Sequence, residues 1–170
     1  MEKMIFEKLN TLDGKFFYFL KLECLELANR LNWNNGANQI MLQTYSPDID
    51  DFITGTGRIQ EAKYTDETAY KHIQPSLKDS NIDKLISSMG VFRTRLMVVK
   101  PKTCYTIHND PSARLHLALE TNPDCYFVFP EHGLVKKVLP DRSVYFVDTR
   151  EKHTFMNCGK EDRIHLVMCK

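Results

Sequence analysis

The segment "CYTIHNDPSARLHLALETN" (Cys104–Asn122) combines a strand-like alternation of apolar and polar residues with an unusual set of polar side chains. Two histidines, an aspartate and an arginine fall within nine residues, at His108, Asp110, Arg114 and His116. Because successive side chains of a strand point to opposite faces, His108 and Asp110 share one face, and so do Arg114 and His116. This pattern predicts a polar strand face that serves something other than contact with solvent.

This segment belongs to a run of short strands that fills the second half of the chain. After Gly90, eight short segments rich in β-branched and aromatic residues are separated by turn signals such as Pro111 and "PEHG". Ahead of them, residues 16–32 carry apolar side chains at helical spacing. The segment "SNIDKLISSMG" predicts another helix, with Ser80 or Asn81 as its N-cap and Gly90 just after its end. We therefore expect a mainly β barrel or sandwich with helices packed outside.

Length and charge bound the domain organisation and the partners. The 170 residues contain no internal repeat and no linker, so we expect one domain over residues 1–170. In this prediction residues 1–90 form a helical and mixed support, and residues 91–170 form the β core that carries the site. With 23 Lys and Arg against 22 Asp and Glu, no basic face is expected to bind nucleic acid or an anionic membrane.

The N-terminus and the cysteines predict a cytoplasmic protein. The opening "MEKMIFEKLN" lacks the apolar core and the cleavage site of a signal peptide. The most apolar stretch, "FFYFLKLECL", contains Lys21 and Glu23 and is too short to span a bilayer. Five cysteines without a CxxC pair predict neither a disulfide framework nor a structural zinc site.

A metal site would explain the polar strand face. Charged side chains inside a barrel are costly unless an anionic ligand or a metal ion compensates them. Two histidines and one carboxylate form the facial triad of non-haem Fe(II) oxygenases, which leaves positions open for other ligands. His-x-Asp supplies two ligands at His108 and Asp110, and His153, at the turn after "SVYFVD", is a suitable third. Arg163 follows ten residues later and shares its strand face with His165.

These residues lie in blocks that resemble a known family. The blocks are "RTRLMVVKPKTCYTIHND", "RLHLALETNPDCYF", "SVYFVDTREKHTFMN" and "DRIHLV", and they span about Phe92–Met168. In order and spacing they resemble the aspartyl/asparaginyl β-hydroxylase family of Fe(II)- and 2-oxoglutarate-dependent dioxygenases. The N-terminal part is similar to that of short microbial and phage-encoded members. The resemblance implies a double-stranded β-helix, the cupin-like jelly roll.

The resemblance also implies roles for individual residues. It implies that His108 and His153 bind iron and that Arg163 pairs with the distal carboxylate of 2-oxoglutarate. Asp110 stands where most 2-oxoglutarate oxygenases have a carboxylate ligand, whereas the animal aspartyl hydroxylases have glycine there. The departure favours a conventional triad of His108, Asp110 and His153. The Arg-x-His pair, Arg114 and His116, would also face the cosubstrate.

The implied function is a dioxygenase that uses Fe(II), 2-oxoglutarate and O2 to hydroxylate an aliphatic carbon, with succinate and CO2 as products. The first substrate class is an Asp- or Asn-type side chain in a protein or peptide, and the second is a free amino acid. A phage-encoded member would act in the host cytoplasm, and the oligomeric state is left open. Two alternatives share the barrel: a small-carboxylate binding module without redox turnover, and a Zn- or Mn-dependent isomerase or hydrolase. Arg163 favours the oxygenase.

Other polar residues carry weaker predictions. Three residues around the third ligand could orient its imidazole ring: Asp148, Thr149 and Asn157. Three histidines are expected in the core or in solvent: His165 in the core or beside the site, His132 and His72 in solvent. Two arginines flank the first barrel strand, with substrate contact and a surface role equally expected: Arg93 and Arg95. The segment "TGTGR" has the glycine spacing of a phosphate loop without its lysine, so no nucleotide site is predicted.

Overall fold

Antiparallel strands dominate the computed structural model, which describes residues 4–170. In chain order these strands are β1 (Phe6–Thr11), β2 (Gln39–Met41), β3 (Gln43–Thr44), β4 (His72–Ile73), β5 (Phe92–Val99), β6 (Thr103–Cys104), β7 (Arg114–Glu120), β8 (Cys125–Phe129), β9 (Leu134–Lys136), β10 (Ser143–Val147), β11 (Thr154–Asn157) and β12 (Arg163–Cys169). The helical segments are α1 (Gly14–Arg30), α2 (Asn32–Gly36) and α3 (Asn81–Met89), with 3-10 turns at Ile59–Glu61, Glu67–Ala69, Pro75–Leu77 and Pro130–His132.

The contacts within the chain divide it into two units. The first contains the described residues up to Leu12 together with Val98–Leu166, and the second contains Asp13–Met97 with Val167–Lys170. Every residue predicted to bind metal or cosubstrate falls in the first unit. The expectation of one domain over residues 1–170 stays a prediction.

Two sheets build the first unit. Their strand orders are β1-β10-β7-β12 and β6-β11-β8-β9. The apolar core draws on both sheets, with Tyr145 and Val147 from β10 and Phe127 and Phe155 from β8 and β11. Along β8 burial alternates strictly, because every second side chain points into this core. The predicted fold class, a mainly β jelly roll, is confirmed.

Strand β7 has buried side chains on both of its faces. On one face Ala118 joins the core and His116 packs against Phe127, with their ring centroids 4.9 Å apart. Leu115, Leu117 and Leu119 alternate with these residues and are also buried. Strand β7 therefore has one polar and one apolar face, as its sequence predicts, and the side chains on both faces are buried.

The first strand was missed by the sequence reasoning. β1 pairs antiparallel with β10, with Phe6 opposite Val147. Apart from Phe6, which is half-buried, the strand is exposed along its length. A polar edge strand of this kind lacks the hydrophobic alternation by which strands are recognised.

In the second unit α1 and α3 form because their ends are capped and one face of each is apolar. The Asp13 carboxylate accepts hydrogen bonds from the backbone N–H groups of Lys15 and Phe16, both at 3.0 Å. The α1 stripe is buried at Leu20, Cys24, Leu27 and Ala28. Helix α1 ends before α2, a left-handed turn whose positive φ angles run from Asn32 to Gly36. The predicted helix and its break are confirmed within two residues at each end.

Helix α3 matches its prediction closely. The Ser80 hydroxyl accepts from the Asp83 N–H at 3.1 Å, and Gly90 ends the helix at φ 57°. The Glu23 carboxylate adds a second cap by accepting from the N–H groups of Asn81 and Ile82, at 2.8 and 3.2 Å. Between the two helices, the stretch "DETAYKHI" forms a 3-10 turn followed by β4.

A surface role for Arg93 and Arg95 is also wrong, since the two side chains are buried. Arg93 donates to the Glu67 carboxylate at 2.6 Å and to the carbonyls of Gly55 and Gly57. The glycine-rich loop "TGTGR" therefore turns its carbonyl oxygens toward a cation, which is the opposite polarity to a phosphate-binding loop. Among residues 4–170, no helix has both the length and the apolar character that crossing a bilayer would need.

Candidate metal centre and cosubstrate site

The residues His108 and His153 are brought together by the backbone. They exchange two hydrogen bonds, from the His108 N–H to the His153 carbonyl at 3.0 Å and back at 2.9 Å. Residues directly opposite one another in an antiparallel pair project their side chains to the same face, and the two ring centroids are 4.5 Å apart. A bridge between distant parts of the chain thus fixes the spacing of the two imidazoles.

Asp110 completes a group of three possible metal ligands. Its N–H donates to the Thr149 carbonyl at 2.8 Å, which ties it to the loop ahead of His153. One ligand atom from each of His108, Asp110 and His153 can be chosen so that all three lie within 4.8 Å of one another. The sequence prediction that these three residues meet is correct as geometry.

Both imidazoles are oriented in the same way. Nδ1 of His108 lies 2.7 Å from the Thr106 carbonyl, and Nδ1 of His153 lies 2.9 Å from the Glu151 carbonyl. A carbonyl oxygen can only accept, so Nδ1 carries the proton in each ring and Nε2 keeps its lone pair. Nε2 is therefore the nitrogen that each histidine could offer to a metal, with the tautomer set by the residue two positions earlier.

Burial and neighbouring charges also favour the neutral form of the His153 imidazole. Burial lowers the pKa of His153 below its ordinary value, and the charges of His108 and Arg114 act in the same direction. The Glu151 carbonyl and the Asp110 carboxylate oppose this shift. The neutral imidazole, which is the form that coordinates a metal, is therefore favoured at neutral pH.

Arg114 lies on the carboxylate side of this group. Its Nη2 is 3.5 Å from Oδ1 of Asp110, and its Nη1 donates to the carbonyl and the hydroxyl of Ser112. The guanidinium is buried, whereas the Asp110 side chain is 26% exposed. Arg114 thus orients the carboxylate and contributes a positive charge beside it. Sequence reasoning did not single out Ser112, which carries no pattern beyond that of a loop residue.

The loop of residues 148–152 is held by ion pairs and by a hydrogen bond to His132. Asp148 binds Arg150 through two contacts, 2.6 Å to Nε and 2.9 Å to Nη2. Glu151 lies 2.7 Å from the His132 ring, and Lys152 pairs with Glu131 at 2.8 Å. These pairs fix the Glu151 carbonyl against His153.

The structure corrects several sequence predictions around this loop. Thr149 and Asn157 do not orient the His153 ring: Thr149 donates to the Ser112 carbonyl, and Asn157 donates to the carbonyls of Val99 and Glu161. His132 is exposed, as predicted, and its ring Nε2 lies 2.7 Å from the Glu151 carboxylate. A backbone carbonyl has no side-chain signal, so the sequence could not reveal the atom that holds the ring.

Arg163 is buried between aromatic rings. Its guanidinium carbon lies 3.6 Å from the Phe155 ring centroid and 5.6 Å from that of Phe127. The side chain is 3% exposed, and within residues 4–170 its Nε and Nη2 have no hydrogen-bond partner. Burial lowers the pKa of Arg163 to about 9. Buried N–H donors are rarely left without acceptors, so the guanidinium is well suited to receive an anion.

His116 and His165 complete this part of the site. Both are buried, their ring centroids are 6.0 Å apart, and His116 packs edge-on against Phe127. Arg163 and His165 alternate along β12 as predicted, so the two share one strand face.

The donor set fits Fe(II) and a dicarboxylate. Two imidazole nitrogens and one carboxylate oxygen suit a non-haem iron centre with open positions. Nε and Nη2 of Arg163, which have no acceptor within residues 4–170, suit a carboxylate of the cosubstrate. The first unit therefore contains both a group of possible metal ligands and a buried guanidinium that can bind an anion.

Comparisons with known proteins identify the family. Residues 76–169, more than half of the chain, match the family described as aspartyl/asparaginyl beta-hydroxylase. No curated protein matches the chain in sequence. The fold is similar to that of AviO1 from Streptomyces viridochromogenes Tue57, with 13% identity and a TM-score of 0.55 over 96% of this chain and 87% of that one. It is also similar to the nickel complex of ThoJ, a non-heme monooxygenase, with 14% identity and a TM-score of 0.52 over 96% and 71%.

The family and the donor set agree on the class of enzyme: an oxidoreductase that uses non-haem Fe(II) and 2-oxoglutarate to hydroxylate its substrate. The chain belongs to the aspartyl/asparaginyl beta-hydroxylase family. The matched region begins at residue 76, ahead of α3, and therefore extends beyond the segment from Phe92 that the sequence blocks indicated.

Proposed function

We propose that His108, Asp110 and His153 bind Fe(II), each histidine through Nε2, and that Arg163 binds the distal carboxylate of 2-oxoglutarate. Arg114 and His116 complete the cosubstrate site. Arg114 orients the Asp110 carboxylate, and the His116 ring lines the site beside Phe127. The observation that carries the proposal is the buried guanidinium of Arg163, whose Nε and Nη2 find no acceptor in the described part of the chain.

The protein's own groups have separable tasks in this reaction. The Thr106 and Glu151 carbonyls hold the imidazoles in the metal-binding tautomer, and Arg114 orients the carboxylate of Asp110. Arg163 neutralises the far end of the cosubstrate and fixes its direction, while Phe127 and Phe155 keep water away from that charge pair. The iron centre, when loaded, couples the oxidation of 2-oxoglutarate by O2, to succinate and CO2, with the conversion of a substrate C–H to C–OH.

The substrate in this proposal is an Asp- or Asn-type side chain of a protein or peptide, or else a free amino acid. Support comes from the description of the family, aspartyl/asparaginyl beta-hydroxylase. The site is proposed to operate in the cytoplasm, where thiols such as Cys24 and Cys125 stay reduced.

Metal content and succinate formation test the proposal together. Protein loaded anaerobically with Fe(II) and desalted should retain about one iron per chain, because three protein ligands hold it. His108→Ala and His153→Ala should each lose the metal, while His72→Ala, which changes a half-buried histidine of β4, should retain it. Iron content is measured by plasma mass spectrometry.

With O2 and ascorbate, iron-loaded wild-type protein should convert 2-oxoglutarate slowly to succinate, measured by mass spectrometry, even before a substrate is supplied. Unchanged iron in both ligand variants would contradict the metal site. Iron-loaded protein that binds 2-oxoglutarate but makes no succinate, with or without candidate peptides and amino acids, would instead support the non-redox binding module.

A further inference from the structure

His165 is a buried histidine to which the proposed reaction assigns no task. It lies on β12, two residues after Arg163, and it is 1% exposed. Its Nδ1 and Nε2 both lack a hydrogen-bond partner within residues 4–170. A histidine that merely filled the core would bond at least one of these nitrogens, because buried polar atoms of proteins are nearly always paired.

The neighbours of His165 show what it faces. Its ring lies 6.0 Å from that of His116, and its position on β12 puts its side chain on the same strand face as Arg163. Burial, followed by the charges of Arg163 and His116, lowers the pKa of His165 well below its ordinary value. His165 is therefore neutral and offers one N–H donor and one acceptor nitrogen.

One strand face thus carries four buried nitrogens that have no hydrogen-bond partner among residues 4–170: Nε and Nη2 of Arg163, and Nδ1 and Nε2 of His165. Leaving such atoms unpaired is costly in the folded protein. A single carboxylate can accept from both residues at once, since its two oxygens offer about four lone-pair directions. The remaining ring nitrogen of His165 could then accept from an ordered water.

We propose that His165 is a second recognition residue for the distal carboxylate of the cosubstrate, donating a hydrogen bond to it beside Arg163. His165 thereby favours a 2-oxo dicarboxylate over chelating acids that have no second carboxylate to place there. A neutral donor strengthens binding without adding another buried cation next to the guanidinium. The inference rests on the proposed 2-oxoglutarate site and adds one residue to it.

The test compares two ligands on two variants. His165→Phe keeps the ring shape and removes both nitrogens, and His165→Gln keeps a donor and an acceptor. Protein loaded with Mn(II), which prevents turnover, is titrated calorimetrically with 2-oxoglutarate and with oxalate, whose two carboxylates are both used in chelating the metal. Ile164→Val, on the opposite face of β12, is the matched control.

We expect His165→Phe to weaken 2-oxoglutarate binding about tenfold, the usual effect of losing one hydrogen bond to a charged group. Oxalate should bind to it as it does to wild-type protein, His165→Gln should recover part of the loss, and Ile164→Val should change neither affinity. An unchanged 2-oxoglutarate affinity in both His165 variants, or an equal loss for both ligands, would overturn the inference while the proposed function stands. Wild-type protein that binds oxalate but not 2-oxoglutarate would overturn the proposed function itself, and this inference with it.

Discussion

Two arginines, Arg93 and Arg163, are buried to nearly the same extent, and their surroundings differ completely. Arg93 is 2% exposed and Arg163 is 3% exposed. The guanidinium of Arg93 donates to Glu67 and to two glycine carbonyls, so it is neutralised by a carboxylate and bonded to the backbone. Arg163 lies between Phe127 and Phe155 with two nitrogens that no atom of residues 4–170 accepts from.

This difference separates a structural cation from a binding cation. A buried charge whose bonds are all made inside the protein stabilises one conformation of the chain, here the loop of Gly55 and Gly57. A buried charge whose bonds are left unmade is paired only when a ligand arrives. Burial and residue type are the same in both places, and the partners alone distinguish Arg93 from Arg163.

Breaking the Arg93 pair should have the largest effect. Arg93→Met should lower the free energy of unfolding by about 3–5 kcal/mol, because the Glu67 carboxylate would remain buried without its cation. Urea denaturation followed by circular dichroism measures this change. Binding of 2-oxoglutarate to the folded variant should not change.

The double variant Arg93→Met, Glu67→Met sharpens this prediction. It should recover part of the lost stability, since a buried pair replaced by apolar side chains is often tolerated. Recovery should be incomplete because the carbonyls of Gly55 and Gly57 lose their donor. A loss below about 1 kcal/mol in the single variant would contradict the structural role of Arg93.

Arg163 should show the reverse behaviour. Arg163→Met should weaken 2-oxoglutarate binding by about 2–5 kcal/mol, or roughly thirty- to several-thousand-fold, since a desolvated charge pair is lost. Iron should stay bound, because Arg163 contributes no metal ligand. Arg163→Lys should retain part of the affinity, as a point charge remains without the planar fork.

Stability separates this variant from the first. Because Nε and Nη2 of Arg163 have no acceptor among residues 4–170, removing this guanidinium should leave the free energy of unfolding unchanged or raise it. Calorimetric titration and urea denaturation of the same sample measure both quantities. A destabilisation as large as that of Arg93→Met, or an unchanged 2-oxoglutarate affinity, would remove the distinction between the two arginines.

Sequence patterns predicted which side chains lie together where those side chains follow one another at fixed spacing. His108 and Asp110 are two residues apart, so they project together whenever the local chain is extended. Arg163 and His165 follow the same rule on β12. Both ends of α3 were also predicted from the sequence, since serine is favoured at the N-cap and glycine just after the last helical residue.

Sequence patterns failed where backbone atoms or distant loops decide the outcome. Backbone carbonyls orient the rings of His108 and His153, and a residue of any type can supply such a carbonyl. The β-bridge between these two residues joins positions that are far apart in the sequence. For Arg93 a surface role and substrate contact were equally expected, because its partners Gly55 and Glu67 are far away in the sequence. No pattern near Arg93 or Arg163 shows which of them is internally paired.

The smallest predicted effect is a pH dependence of the free energy of unfolding, caused by His165, which shares a strand face with Arg163. Burial, with Arg163 and His116, holds the pKa of His165 well below 6.5, its ordinary value and the value expected in the unfolded chain. Above pH 6.5 both states are neutral at this position and the full stability is present. As the pH falls below 6.5 the unfolded chain takes up a proton that the folded protein does not, so stability is lost down to the folded pKa.

For metal-free protein this loss should reach about 1 kcal/mol between pH 7 and pH 5.5, given about 1.4 kcal/mol per pH unit for one fully shifted group. His165→Phe should flatten the profile by that amount, whereas His153, whose pKa is also lowered, contributes equally to both proteins and cancels in their difference. Urea midpoints at several pH values measure the two slopes. Parallel profiles for wild type and His165→Phe would mean that His165 takes up a proton inside the fold as readily as in the unfolded chain. The strand face would then carry two like charges, on Arg163 and His165, where we infer one cation and one neutral donor.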